Sequence, residues 1–427
     1  MEEETGETEA LIQSSSADSR PQPLGAPPAR YKVYRKRWFI LAVLSLLNCS
    51  NAMCWLSFAP VADETAQTLH LSLQQVNWFS LVYVLVAIVF SFCSMWILDT
   101  KGLRFSLLLG ALLNACGSAL RVVSMFFPCC VFPLMMCGQI LCALAQPLIV
   151  FAPAKLAAQW FPEHQRATAN TLASMANPLG LLLANVVSPL VISHGYSLFT
   201  LMCMYAGPTS VACALALLGI CESLPAIPPS ASRATPSDTP SIKQLLQNRA
   251  YLILLLCFGS GIGIFTCFST LLQQILCVQG YTNEFAGLCG AVSVVLGLLG
   301  ALVLGVCVDR TKAFTEVTKI GMSMASLGCT AFSMVSQLAN QRILVAVVCG
   351  SFGLFGYSVY PIAMELAVEC TYPTGEATST GLIFLSGVSA GDGRFVCSGG
   401  LHLRSILPHG VSETASGGRR ERGGNMC

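Results

Sequence analysis

Long runs of apolar residues alternate with short polar segments along most of the 427-residue chain. A helix needs about 20 apolar residues to span the hydrocarbon core of a bilayer, and runs of this kind recur from position 38 onward. The pattern predicts ten membrane-spanning helices, at residues 38–62, 76–98, 105–127, 129–154, 167–192, 197–220, 250–278, 285–308, 320–338 and 343–368. The predicted fold class is therefore all-α, a polytopic membrane protein.

Polar segments divide these helices into two groups. Residues 1–37 contain Pro, Ser and charges and predict a disordered cytosolic head. Residues 222–249, also rich in Pro and Ser, predict a cytosolic linker between an N-terminal six-helix bundle, 38–221, and an incomplete C-terminal bundle, 250–387. From 388 to 427 the sequence becomes polar, with apolar stretches too short to span a membrane.

Lysine and arginine predict how the helices are oriented, because short loops rich in these residues stay in the cytosol. With the N-terminus in the cytosol, sixteen of the Lys and Arg residues before position 388 fall on the cytosolic side. The other two, Arg121 and Arg342, fall on the opposite side of the membrane. We therefore predict an integral, multi-pass protein of the plasma membrane or of endosomal or lysosomal membranes, with a cytosolic N-terminus.

Composition narrows the function. Hydrophobic residues make up 54% of the chain and charged residues 10%, which is typical of a membrane protein. A net charge of +2 without a basic stripe argues against a nucleic-acid partner. No nucleophile–base, metal-ligand or phosphate-loop pattern is present, so an enzyme, a metal site and a cofactor are not expected. The predicted partners are the lipid bilayer and a small-molecule solute.

A charged motif occurs twice, at matched places in the two groups of helices. "MWILDTKGLRF" follows the second apolar run, with Asp99, Gly102 and Arg104, and "LGVCVDRTKAF" ends the eighth. In the second copy the charged residues are Asp309, Arg310 and Lys312. An aspartate beside a tight turn and cations can bind neighbouring helix ends through charge-assisted bonds, so we predict a conformational latch. The alternative is a set of charges that only solvate a turn.

The first copy resembles the loop signature of the major facilitator superfamily, Gly-x-x-x-Asp-x-x-Gly-Arg-Arg/Lys. Asp99, Gly102 and Arg104 fit this signature, whereas Met95 and Leu103 depart from it. The resemblance implies twelve helices in two halves that rock around a central cavity. It therefore implies a secondary transporter that works by alternating access.

Longer segments resemble one branch of that superfamily, the feline leukaemia virus subgroup C receptor-related proteins, or solute carrier family 49. These segments include "NAMCWLSFAPV", "CGQILCALAQPLIVFAPAKLAAQWF" and "ELAVECTYPTGEATSTGL". The resemblance implies a small amine such as choline or ethanolamine, or alternatively haem, as the substrate.

In choline-binding members of this branch, the site resembles an aromatic cage of a tryptophan, a glutamine and an aromatic residue. Trp55 and Gln146 match the first two positions, and Thr266 aligns with the third, beside Phe265. Each has a structural alternative: Trp55 as an interfacial tryptophan, Gln146 as a bond between helices, and Thr266 bonded to its own helix.

Tyr357 and Tyr360 interrupt the tenth apolar run and are further candidates for the cavity wall, unless they belong to a glycine-rich helix crossing.

Two acidic residues lie at the end of the tenth run. Glu365 and Glu369 are four positions apart and share a helical face, which makes them candidates for coupling transport to a second ion. For Glu369, a surface latch with the following loop is the preferred interpretation.

In the head, Glu7, Leu11 and Ile12 fit an acidic dileucine pattern that would bind a sorting adaptor. The alternative is an inert tail.

The abrupt change of composition at Val388 predicts an alternative or frameshifted terminus in place of the last two helices. Two functional classes follow from this prediction. One is a transporter that keeps its ligand site, and the other is a truncated form that does not transport and either associates with other membrane proteins or is degraded.

Overall fold

The computed structural model describes residues 34–220, 242–338, 340–371 and 375–387. Regular secondary structure in these residues is helical. The helices are α1 (Lys36–Leu56), α2 (Ala62–Leu69), α3 (Leu73–Ser124), α4 (Val131–Val150), α5 (Ala152–Trp160), α6 (Arg166–Ser193), α7 (Leu198–Gly219), α8 (Ile242–Gln247), α9 (Arg249–Val278), α10 (Asn283–Thr311), α11 (Phe314–Val335), α12 (Arg342–Thr371) and α13 (376–387).

The predicted all-α membrane fold is confirmed. Eight helical segments in the described part of the chain are long and apolar enough to cross a membrane, and the 52-residue α3 covers two predicted spans. The ninth predicted span corresponds to α11, a 22-residue helix that is not among those eight. It begins at Phe314, six positions before the predicted start at 320, because the polar residues of its first turn hide its beginning in the sequence.

Three helix breaks have local causes. Gly102 has φ 86°, a backbone conformation that favours glycine, and it reverses the chain in the middle of α3. The first predicted span, 38–62, is wrong at its end because α1 stops at Leu56, just before a short 3₁₀ helix that begins at Ala59 and contains Pro60. The fourth span is also divided, since α4 ends at Val150 and α5 begins at Ala152 with Pro153 in its first turn.

Most of the hydrophobic packing lies within each half of the chain. In the first half, residues 34–220, two clusters join α1, α3, α4, α6 and α7, with Leu44 and Leu107 in one and Phe58 and Phe79 in the other. In the second half, residues 242–387, aromatic side chains of α9, α11 and α12 pack around Phe268 and Phe352. Smaller apolar contacts cross between the halves, since Ala377 joins the cluster around Leu44 and Ala167 packs in one cluster with Val308 and Ile362.

The halves meet where α5, α6, α10 and α12 contact one another. These contacts lie at the end of the molecule where α1 begins, since Arg37 of α1 donates to Gln165, just before α6, over 3.0 Å. We call this the closed end. It corresponds to the side that the sequence predicts to be cytosolic.

Candidate functional site

Trp55 forms a half-buried aromatic wall near the end of α1. Its ring stacks on that of Tyr83 in α3, with centroids 5.9 Å apart and an angle of 24° between the rings. Its indole Nε1 donates to the carbonyl oxygen of Ser80 over 3.3 Å. The indole is thus oriented by two contacts with one neighbouring helix, while part of it stays accessible.

Gln146 lies in α4 and is 6% exposed. Its side-chain amide makes no hydrogen bond with another described residue. An amide with unused donors and acceptors inside a membrane bundle is costly unless a bound molecule or water completes its bonds. Of the two interpretations of Gln146, ligand contact is the one that this environment favours.

Trp55 and Gln146 lie at different depths of the bundle. Helices α1 and α4 run in opposite directions, and the amide of Asn51 in α1 donates to the carbonyl oxygen of Cys142 in α4 over 2.9 Å. Trp55 lies one turn beyond this contact and Gln146 one turn to its other side, which separates them by roughly 10 Å along the helix axes. A solute between the two side chains would have to bridge that separation.

The second half contributes aromatic rings. The Phe265 ring lies edge-on to Tyr357, with centroids 4.5 Å apart, and 5.3 Å from Phe352. A Cβ atom on Gly356 would lie 2.4 Å from the Phe265 ring, so a side chain at position 356 would clash with this ring. Phe265 and Tyr357, two predicted cavity residues, therefore belong to one aromatic cluster.

Thr266 is exposed, and its hydroxyl donates to the carbonyl oxygen of Ile262 over 2.9 Å. This is the bond to its own helix that the sequence offered as the alternative.

Tyr360 lines a small cleft between the halves, on the closed-end side of Gln146. In this cleft the Asn170 amide donates to the carbonyl oxygen of Pro361 over 2.9 Å and accepts from Ser174 over 3.2 Å. The lining consists of Val150, Phe151, Pro153, Ala154, Asn170, Ser174, Tyr360, Met364 and Thr380. It is apolar apart from hydroxyls and one amide, so it holds no fixed charge.

Asp99 binds the start of α13 in the other half of the chain. Its carboxylate accepts from the backbone N–H of Ala377 at 3.2 Å and of Thr378 at 2.9 Å, and from the Thr378 hydroxyl at 2.6 Å. Lys155 of α5 lies 2.9 Å from the same carboxylate and 3.9 Å from Glu376. A buried carboxylate thus satisfies amide groups that a helix start leaves unpaired.

Asp309 makes the matching contact in the opposite direction. Its carboxylate accepts from the backbone N–H of Ala167 at 2.9 Å and of Thr168 at 2.7 Å, at the start of α6 in the first half. Asp99 and Asp309 are therefore related by the repeat in geometry as well as in sequence.

A second buried ion pair joins the halves near Asp309. Arg166 of α6 lies 3.7 Å from Glu365 of α12, and the Glu365 side chain is fully buried. Glu365 therefore lies in the closed end, whereas Glu369 is exposed. In these two ion pairs, Lys155–Glu376 and Arg166–Glu365, the first half supplies the cation and the second half the acid.

The other predicted latch residues lie around this core. Gly102 forms the turn after Asp99. Lys312 donates to the backbone carbonyl oxygen of Glu163 in the first half. Arg104 and Arg310 are exposed and make no hydrogen bond or ion pair with another described residue.

Sequence reasoning did not single out Lys155 and Arg166, which supply the buried cations instead. A signal was present, since "KLA" at 155–157 repeats as "ELA" at 365–367, and "RAT" at 166–168 as "EAT" at 376–378. The predicted sorting residues Glu7, Leu11 and Ile12 lie outside the described residues, as does the tail from 388.

Comparison with known proteins agrees with this architecture. The sequence pattern of the Major Facilitator Superfamily matches residues 44–391. A solved structure of the superfamily transporter FucP, in the outward conformation, has a TM-score of 0.64 and 18% identity, covering 87% of this chain and 93% of that one. The fold, with its paired bundles and repeated motif, is that of a membrane transporter, and the chain belongs to the Major Facilitator Superfamily.

Closer relatives define the branch. Solute carrier family 49 member A3 of Danio rerio is 62% identical over 393 residues, which is 91% of this chain and 83% of the relative. The choline/ethanolamine transporter flvcr2b of Danio rerio is 30% identical, covering 86% of this chain and 78% of the relative. The chain is a member of solute carrier family 49.

Proposed function

We propose that this protein carries a small organic amine, of the choline or ethanolamine type, across a membrane by alternating access. The observation that carries the proposal is the oriented Trp55 indole, stacked on Tyr83 and partly accessible, on the same two-helix wall as the unbonded amide of Gln146. The choline/ethanolamine transporter flvcr2b, at 30% identity, supports the amine class.

The chemistry of such a solute matches these groups. A quaternary or protonated amine is attracted to the face of an indole, and a desolvated contact of this kind contributes about 2 kcal/mol. The hydroxyl group of choline or ethanolamine can exchange hydrogen bonds with an amide, which has both donors and an acceptor. The roughly 10 Å between Trp55 and Gln146 suits a solute that contacts the two ends of the wall in turn as it crosses.

The closed end supplies the gate in this proposal. With the N-terminus in the cytosol, Asp99 and Asp309 hold the cytosolic ends of the halves together, and opening breaks their bonds to α13 and α6. Glu365, paired with Arg166, acts in this gate rather than at the solute. The described histidines, His70, His164 and His194, lie at helix ends and turns, which argues against a histidine-ligated haem between the described helices.

Thermal unfolding of the full chain in detergent tests the proposal. A ligand that binds only the folded state, at a hundred times its dissociation constant, stabilises it by about 2.7 kcal/mol. Choline or ethanolamine should therefore raise the unfolding midpoint, and haem should not. If neither amine shifts a cooperative transition, the amine proposal fails.

Replacing Trp55 with Ala identifies the site, and Trp96 provides the matched control because it is 56% exposed near the end of its span. Trp55→Ala should weaken choline binding by about thirtyfold, the equivalent of one desolvated cation–π contact. Trp96→Ala should leave the dissociation constant unchanged. Equal effects of the two substitutions would remove Trp55 from the site.

A further inference from the structure

Arg121 is a buried cation in the part of α3 that follows Gly102. It is 1% exposed, although the sequence places it at the outer end of a span. Among the described residues, no Asp or Glu lies within ion-pair distance of its guanidinium. Burying a charge without a counter-charge is costly, so the groups that surround Arg121 must replace its hydration.

Those groups belong largely to the end of α1. The guanidinium donates to the carbonyl oxygen of Cys54 over 3.3 Å and to the Ser57 hydroxyl, and it lies 4.9 Å from the centre of the Phe58 ring. A fourth contact is with the sulfur of Met202 in α7, at 3.3 Å. A carbonyl at a helix end carries partial negative charge, and an aromatic face attracts a cation, so these contacts together stand in for a carboxylate.

The residues at the end of α1 that make these contacts lie on both sides of Trp55 in the sequence. Cys54 precedes it, and Ser57 and Phe58 follow the end of α1 at Leu56. Ser57 is held from a second side, because its carbonyl oxygen accepts from the Ser188 hydroxyl over 3.1 Å. The backbone on both sides of the indole is thus attached to α3 and α6, which determines where the ring points.

Close helix packing leaves Arg121 little freedom to lie elsewhere. A Cβ atom on Gly138 would lie 2.7 Å from the Arg121 Cγ, and one on Gly117 would lie 2.6 Å from the carbonyl oxygen of Gly138. Helices α3 and α4 therefore cross at two glycines, and the arginine stem fills the space that the missing side chains leave.

We infer that Arg121 is a positioning residue for solute recognition, which holds the end of α1 so that Trp55 stacks on Tyr83 and faces the solute. This inference rests on the proposed function for the identity of the solute. It makes Arg121 a determinant of affinity without any contact between Arg121 and the amine.

The experiment measures two properties in the full chain: the dissociation constant of choline and the fluorescence of Trp55. For fluorescence, the other four of the five tryptophans are replaced by Phe, so that emission reports Trp55 alone. The variants are Arg121→Lys, which keeps the charge but loses the planar donor geometry, and Arg121→Met, which loses both. Ser118→Ala is the control, because Ser118 lies one turn earlier in α3 and bonds to Thr209 in α7 over 2.6 Å, not to α1.

Both Arg121 variants should shift the Trp55 emission to longer wavelength and weaken choline binding by about tenfold. This loss corresponds to part of the binding free energy of one cation–π contact. Ser118→Ala should change neither property. If Arg121→Met does not fold, Arg121→Lys alone decides.

Two results would overturn the inference. Unchanged Trp55 emission in a folded Arg121 variant would show that α1 does not need the guanidinium. Tighter choline binding in Arg121→Met would show that the charge acts by repelling the amine and not by positioning Trp55. If the unsubstituted chain binds no amine, the proposed function fails, and the emission of Trp55 still tests the positioning role.

Discussion

Asp99 and Asp309 each bind two successive backbone amides at the start of a helix in the opposite half of the molecule. A carboxylate placed there gains from charge-assisted hydrogen bonds and from the positive end of the helix dipole. Neither α6 nor its N-cap residue Gln165 provides a side-chain cap of its own. The bond between the halves is therefore also the bond that completes the helix.

Replacing Asp99 with Asn should expose the start of α13 to solvent exchange. The amide side chain loses its charge and the ion pair with Lys155, and hydrogen bonds to charged groups contribute about 1.5–3 kcal/mol. We expect the amide hydrogens of Ala377 and Thr378 to exchange at least about tenfold faster in a hydrogen–deuterium exchange experiment.

The repeat supplies the control for this measurement. Asp309→Asn should speed exchange at Ala167 and Thr168 more than at the start of α13, and Asp99→Asn should do the reverse. The assignment is contradicted if both variants leave all four amides as protected as in the unsubstituted chain.

At the level of single residues, the sequence predicted the two carboxylates that accept hydrogen bonds but not the groups that donate to them. The repeated motif singled out Asp99 and Asp309, whereas the amides that they bind lie 278 and 142 residues away along the chain. Lys155 and Arg166 were counted as loop charges, because a rule that counts Lys and Arg cannot tell a buried cation from a solvated one. Arg121 was missed for the same reason.

Between whole helices, the crossing of α10 and α12 depends on glycine. A Cβ atom on Gly353 would lie 2.3 Å from the backbone oxygen of Ser293, and one on Gly297 would lie 2.7 Å from the Cβ of Tyr357. Such contacts let two backbones approach closely in a membrane, where association depends on packing.

Gly297→Ala should therefore lower the thermal unfolding midpoint, because the new methyl group would lie 2.5 Å from the Tyr357 ring and 2.8 Å from the backbone oxygen of Gly353. Overpacking of this kind costs about 1–3 kcal/mol. Gly287→Ala lies in the same helix, and apart from the neighbouring backbone of that helix no atom lies within 4 Å of the new Cβ. That control should be neutral or stabilising, since Ala favours a helix over Gly by about 0.5–1 kcal/mol. Equal midpoints for the two variants would show that the crossing tolerates a side chain.

The apolar pattern predicted the helices well and their ends less well. Its period and length determine that a segment spans a bilayer, but α1 stops at Leu56 and α4 at Val150 inside runs that remain apolar. Prolines at 60 and 153 follow these breaks, and hydropathy alone does not register them. The aromatic cluster around Phe265 could not be predicted from the apolar pattern, because it joins helices that are distant in sequence.

In the molecule as a whole, two buried ion pairs among the described residues cross the closed end with the same polarity. Lys155 and Arg166 come from the first half, and Glu376 and Glu365 from the second. Complementary charge across a contact specifies which surfaces meet and in what register. The positive-inside rule predicts that this end lies in the cytosol.

Protease protection of sealed microsomes tests that orientation. An epitope inserted after the exposed Gly195, at the opposite end between α6 and α7, should be protected, whereas one inserted after Lys312 should be digested. The reverse result would place the closed end outside the cytosol and contradict the predicted topology. Detergent should make both epitopes digestible, which controls for intrinsic resistance to the protease.

Each half supplies an aspartate that completes a helix start in the other half, and this arrangement has a consequence for biosynthesis. The start of α6 is completed by Asp309, which is synthesised 142 residues after Ala167, so the first half enters the membrane before its last bonds can form. Arg166 likewise lies at an unfinished surface until its acidic partner, Glu365, is synthesised. Ribosome-bound chains that end before Asp309 should therefore be the forms most dependent on membrane chaperones, and quality control has a defined interval in which to act.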